Sequence, residues 1–220
     1  TYTEPSPLRV GYYCDEVFAM AAASPRSPRV MKMTQLFWYR SSSAPLKTGV
    51  DALVTRLHRR IRYTGLEFGN AAIIPRSPAE TLRRGYGDCK DKSTLLVASL
   101  RALGIPAQLA LVNSGYGLDL HPTLPGLEAF NHVLVYLPTA KLWIDPTYPN
   151  APAGQLPAVD QGRWTLLVSR KTRDLERLPT SKAKDNTLSV ARTLTFGLDK
   201  VARFEERLQG RGAIARRMRR

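Results

Sequence analysis

The stretch from Asp88 to Pro106 constrains this chain more than any other, because it reads as one helix whose first turn carries a cysteine. Asp88 is a good N-cap, Asp91 stands at the acidic third position of a capping box, and Gly104 with Pro106 ends the run. Leu95, Leu96, Leu100 and Leu103 form an apolar stripe. Cys89, Ser93, Leu96, Leu100 and Leu103 follow at spacings of 4, 3, 4 and 3, so the thiol lies on the face that packs inward. A helix N-terminus favours a thiolate, and its unpaired amide groups can receive an oxyanion. The segment therefore supplies a fold nucleus and a candidate nucleophile together.

A nucleophilic cysteine needs a base, and the chain has only His58, His121 and His132. His58 falls on the polar flank of a predicted helix, and His121 precedes a proline in a long loop. His132 sits between apolar neighbours in a predicted strand, 130–137, followed by a second strand, 142–145, that Pro146 closes. Pairing Leu137 with Leu142 across the intervening turn puts Asp145 opposite Leu134, on the same face as His132. Diagonal neighbours of that kind stand roughly 7 to 8 Å apart at the backbone, within side-chain reach. Cys89, His132 and Asp145 are thus the candidate nucleophile, base and orienting carboxylate.

The rest of the chain organises around these elements. Val50, Leu53, Val54, Leu57 and Ile61 recur at helical spacing behind a Thr48/Asp51 capping box, predicting an amphipathic helix that ends near Tyr63. Ser77, Pro78 and Glu80 open a short helix stopped at Gly85. A strand over 107–112 leads into a Gly/Pro-rich loop, Asn113 to Leu127, long enough to border a cleft. The alternation of Leu188, Val190, Arg192, Leu194 and Phe196 ahead of Gly-Leu-Asp-Lys predicts a late strand. In the first 46 residues the pattern gives a helix near Asp15 to Ala23, a Ser/Pro/Arg break, and an apolar stretch over 31–40. The expected division is an N-terminal segment 1–46, a core 47–150 and a strand-rich extension 151–220.

The formal net charge of +15 comes mostly from arginine. The cluster at Arg56, Arg59, Arg60 and Arg62 falls on the polar side of its helix and reads as a solvated face. No aromatic side chains interleave with the basic clusters as stacking platforms, so no specific nucleic-acid partner is expected. No window has the run of apolar residues that a membrane span needs. The opening Thr-Tyr-Thr-Glu-Pro-Ser-Pro has neither the charged nor the apolar region of a signal peptide, and other domains of a longer parent chain are expected. Cys14 and Cys89 stand in contexts that do not ask for a disulfide.

Gly-Tyr-Gly-Asp-Cys-Lys-Asp-Lys at 85–92, Phe-Asn-His-Val at 130–133 and Trp-Ile-Asp-Pro-Thr at 143–147 resemble the three core motifs of the bacterial transglutaminase-like family. The likeness extends over roughly residues 48–150. It implies an α+β, papain-like core with the cysteine at the start of a helix packed on an antiparallel sheet. It also implies a triad of Cys89, His132 and Asp145, with no metal or cofactor in the chemistry. Tyr63 is the candidate for an aromatic side chain assisting the oxyanion. The implied activity is attack on a protein or peptide amide through a thioester, ending in hydrolysis or transfer to an amine. A periplasmic or secreted location goes with the resemblance. The alternative is a catalytically silent module of this fold whose basic surface holds an acidic polymer.

Overall fold

The computed structural model describes residues 28, 30, 45–65, 73–121, 126–197 and 202–218. The helix expected near 15–23 and the apolar stretch at 31–40 lie outside them, as does Cys14. The chain divides into two compact units, Thr1–Pro179 and Thr180–Arg220.

In the first unit, α1 spans Leu46–Arg60 and buries Val50, Leu53, Val54 and Leu57, with Ile61 buried just past its end. It begins earlier than the Thr48 cap predicted. Pro45 precedes its first turn, no side chain caps it, and Asp51 is already inside the helix, pairing with Lys47 at 3.0 Å and accepting from the Ala153 amide. Helix α2, Pro78–Arg84, forms as expected: the Ser77 hydroxyl accepts from the Glu80 amide, and Gly85 ends the helix at φ +72°. Glu80 does not complete a capping box with Ser77, because its carboxylate turns to Arg83 instead.

Helix α3 spans Cys89–Ala102, and every residue from Cys89 to Leu100 is buried. The apolar stripe implied a solvated side, and none exists over those three turns. Most of the polar residues are paired instead, the Thr94 hydroxyl being the exception among the described residues. Lys90 binds Asp88, Asp91 binds Arg76, Lys92 donates to the Ile61 carbonyl, Ser93 to the Val133 carbonyl and Ser99 to the Leu95 carbonyl. Polar burial of this kind is stable only when donors and acceptors are matched. That is why a helix with so polar a first turn can serve as the central element.

A five-stranded sheet lies against it, in the order β5-β4-β3-β6-β7 with every neighbouring pair antiparallel. The strands are β3 Gln108–Val112, β4 His132–Leu137, β5 Leu142–Ile144, β6 Trp164–Leu167 and β7 Glu176–Arg177. The predicted register holds: Leu137 faces Leu142 and Val135 faces Ile144, so the line continues to Leu134 and Asp145. Val133, Val135, Leu137, Leu109, Leu111 and Leu166 pack with α3 and α1 in the main core. Leu134, Ala110, Val112 and Trp143 fill a smaller cluster with Leu156 and Leu178. A two-residue parallel ladder joins β1, Arg62–Tyr63, to β2, Tyr86–Gly87, which ties the end of α1 to the approach to Cys89.

The second unit is a hairpin, β8 Leu188–Phe196 with β9 Ala202–Gly210, followed by α4, Gly212–Arg217. The late strand is therefore present, while residues 198–200 of the predicted turn lie outside the described set. Arg56, Arg59, Arg60 and Arg62 are exposed. Among the described residues no helix is long and apolar enough to cross a membrane.

Candidate active site

The start of α3 is fixed by Asp88, whose buried carboxylate accepts from the amides of Lys90 and Asp91 at 2.9 and 3.1 Å. The Lys92 amide goes to the Asp88 carbonyl. Of the amide donors at this helix start, those bonds leave the one on Cys89 itself unused. The oxyanion donors expected from the whole first turn thus reduce to the cysteine's own N–H. Gly87 lets the chain reach this point: a Cβ there would stand 2.6 Å from the Asp91 Cβ, too close for any other residue without displacement.

His132 is the first residue of β4, and Ser93, one turn into α3, holds the Val133 carbonyl beside it at 2.9 Å. Helix start and strand start therefore meet. The Cys89 side chain pairs with the His132 ring, and Nε2 of that ring lies 3.2 Å from Oδ2 of Asp145. The other Asp145 oxygen accepts from the Thr147 amide at 2.8 Å and its hydroxyl at 2.6 Å. Two donors thus hold one oxygen while its twin faces the histidine, a local turn that Asp-Pro-Thr makes possible. Cys89 is 4% exposed and Asp145 6%.

The electrostatics follow from these contacts. Burial alone would lower the proton affinity of His132, but Asp145 and the Cys89 sulfur outweigh it and raise its pKa to about 10. Burial pushes Asp145 up, and the hydrogen bonds from His132 and Thr147 more than offset that, so its carboxyl stays below the usual range. The imidazole is held as a cation between a carboxylate and a sulfur. Asp160, fully buried, stands close by: one donor atom each from His132, Asp145 and Asp160 lie within 4.8 Å of one another. A divalent cation can use such a spacing, in competition with the proton on the imidazole.

Other expectations resolve individually. Tyr63 is half exposed and pairs through its backbone register with Gly87, two residues ahead of Cys89. His121 is exposed. His58 is not on a solvated flank: its Nδ1 lies 3.4 Å from Nζ of the buried Lys92, and burial followed by the Lys92 charge lowers its pKa to about 4. Burial also lowers Lys92, to about 8, against the pull of Asp145. The loop after β3 reaches the site at Ser114, whose side chain adjoins Asp160, while residues 122–125 lie outside the described set. Sequence reasoning missed Thr147, Lys92 and Asp160. The Asp-Pro-Thr turn signalled the first, and nothing in periodicity signalled the other two.

Residues 39–143 match the core domain of the transglutaminase-like superfamily. The core of this chain belongs to that superfamily. The match includes Cys89 and His132 and stops two residues short of Asp145. Among solved structures, a candidate protease from Parabacteroides distasonis is similar at 16% identity and a TM-score of 0.48, covering 84% of this chain and 38% of its own. A candidate cysteine protease from Cytophaga hutchinsonii is similar at 16% identity and a TM-score of 0.39, covering 84% of this chain and 52% of its own. This chain thus spans about half the length of those proteins or less. No curated protein matches the sequence.

Proposed function

We propose that the protein is a cysteine-dependent amide hydrolase or acyl transferase, with Cys89 as nucleophile, His132 as proton carrier and Asp145 as the carboxylate that orients it. One observation carries the reading: a cysteine at a buried helix N-terminus pairs with a histidine whose Nε2 lies 3.2 Å from a buried aspartate. The Cys89 thiolate attacks the carbonyl carbon of an amide, and the electron pair moves onto the carbonyl oxygen. The Cys89 amide is positioned as one donor to that oxyanion, and Tyr63, on the strand paired with Gly87, is the candidate for a second. The C–N bond then breaks, His132 gives its proton to the leaving amine, and a thioester remains. Water or an amine attacks the thioester, His132 takes the proton of that acceptor, and the thiolate is regenerated. Hydrolysis is the simpler outcome, because water is always present.

The test is capture of the thioester. Incubation with peptide-amide libraries and a quench in acid should give a mass adduct on the peptide containing Cys89 in the wild type and none in Cys89→Ser. A wild-type protein that turns over no amide and never acylates Cys89 would leave the silent binding module as the correct description.

A further inference from the structure

Asp160 is 0% exposed, in the turn ahead of β6, and neither of its carboxylate oxygens has a hydrogen bond of ordinary geometry among the described residues. Burying a carboxyl without donors costs stability, and the cost is larger if it is charged. Here the group lies within 4.8 Å of both a His132 ring nitrogen and an Asp145 oxygen. We propose that Asp160 is a positioning residue of this site, a second carboxyl that acts on the proton shared by His132 and Asp145 without touching substrate.

The inference rests on His132 being the proton carrier. Four groups from different parts of the fold face Asp160: Ser114 beyond β3, His132 on β4, Asp145 after β5, and Arg163 ahead of β6. Burial raises its proton affinity and Asp145 pushes the same way, against Ser114, His132 and Arg163, so it takes up a proton at higher pH than an exposed aspartate. Ionised, Asp160 adds a second negative charge beside the imidazole. At such a separation that charge supports the imidazolium through space. Neutralised at lower pH, it withdraws the support. His132 is thereby answerable to two carboxyls, one hydrogen-bonded to it and one acting through space.

The experiment is a nitrogen-15 NMR titration of His132 in the wild type and in Asp160→Asn, which keeps the shape and removes the charge. The midpoint of His132 should fall by one unit or more in the variant. In the wild type the His132 signal should also show a second, acid-side inflection as Asp160 titrates, a readout that survives if the variant does not fold. A midpoint that stays in place in folded Asp160→Asn, or a wild-type curve with a single inflection, overturns the proposal and makes Asp160 a packing residue. The titration reads proton affinity and not turnover. Failure of the enzyme reading is therefore read separately, from the absence of Cys89 acylation, and failure of this proposal from an unmoved His132 midpoint.

Discussion

Replacing Asp145 by asparagine keeps the shape of the side chain and removes the charge that faces the imidazole. At the observed 3.2 Å, and with an effective dielectric of about 20, that charge is worth about 5 kcal/mol to the imidazolium, close to four pKa units. His132 begins at about 10, raised by Asp145 and Cys89 against burial. Without Asp145, burial is opposed by the Cys89 sulfur and, through space, by Asp160, and a loss of about four pKa units brings His132 to its ordinary value of about 6.5 or below. At pH 7.5 the imidazole then passes from almost fully charged to about one-tenth charged or less, and the thiolate loses its partner. Alkylation by iodoacetamide, followed peptide by peptide from pH 6 to 9, reads this directly. Near pH 7 Asp145→Asn should react at least tenfold more slowly than the wild type, and His132→Ala more slowly still. Above pH 9 the difference between wild type and Asp145→Asn should shrink. If Asp145→Asn reacts at the wild-type rate near pH 7, or if Cys89 simply tracks Cys14 across pH, the ion-pair reasoning is wrong.

The same contacts give three further expectations. Thr147→Val removes the 2.6 Å hydroxyl bond to Asp145 and keeps the amide bond, so turnover should fall several-fold with little change in KM, measured by steady-state kinetics on any amide substrate found. Asp88→Ala removes the α3 cap and the carboxylate that lies 2.8 Å from the buried Lys90, so urea denaturation should show a loss of roughly 2 kcal/mol or more. His132 has a folded-state pKa above its unfolded one, so its stabilisation is complete below about pH 6.5 and is lost as pH rises through about 10, by at most roughly 5 kcal/mol. Denaturation curves at pH 6.5 and 9.5 should show that fall in the wild type and flatten in Asp145→Asn.

How much of this was legible from residues alone depends on what kind of neighbour each residue has. Local signals held where one turn of chain decides the outcome: Ser77 and Gly85 bound α2, Asp88 caps α3, and the tight turn between Leu137 and Leu142 set the register that brings Asp145 to the side of His132. Reading the α1 start at Thr48 failed for the same local reason, since Pro45 already sets the entry to that helix and leaves Asp51 free for Lys47 and Ala153. The apolar stripe of α3 misled more deeply. Periodicity reports which side is most apolar, whereas burial on every side was decided by partners far off in sequence, 15 residues for Asp91 and Arg76, 31 for Lys92 and Ile61, 40 for Ser93 and Val133.

Asp160 marks where such reading ends, and the reason is physical. A strand ladder transmits position from residue to residue, so one turn locates a whole face, and Asp145 could be placed from Leu137 and Leu142 without knowing any other contact. Asp160 belongs to no ladder: it lies in a turn between Pro157 and Arg163, where its amide bonds back to the Pro157 carbonyl, and the next strand in the chain, β6, joins the sheet on the far side of β3 from β4. Its side chain arrives beside His132 only because β3, β4 and β6 are already assembled. A residue placed by the whole sheet leaves no periodic trace, so an unpaired buried carboxyl beside the imidazole becomes visible only after folding. Its effect on that imidazole is correspondingly a property of the assembled sheet, and loosening the β3–β6 ladder should shift the His132 titration even with every side chain of the site intact.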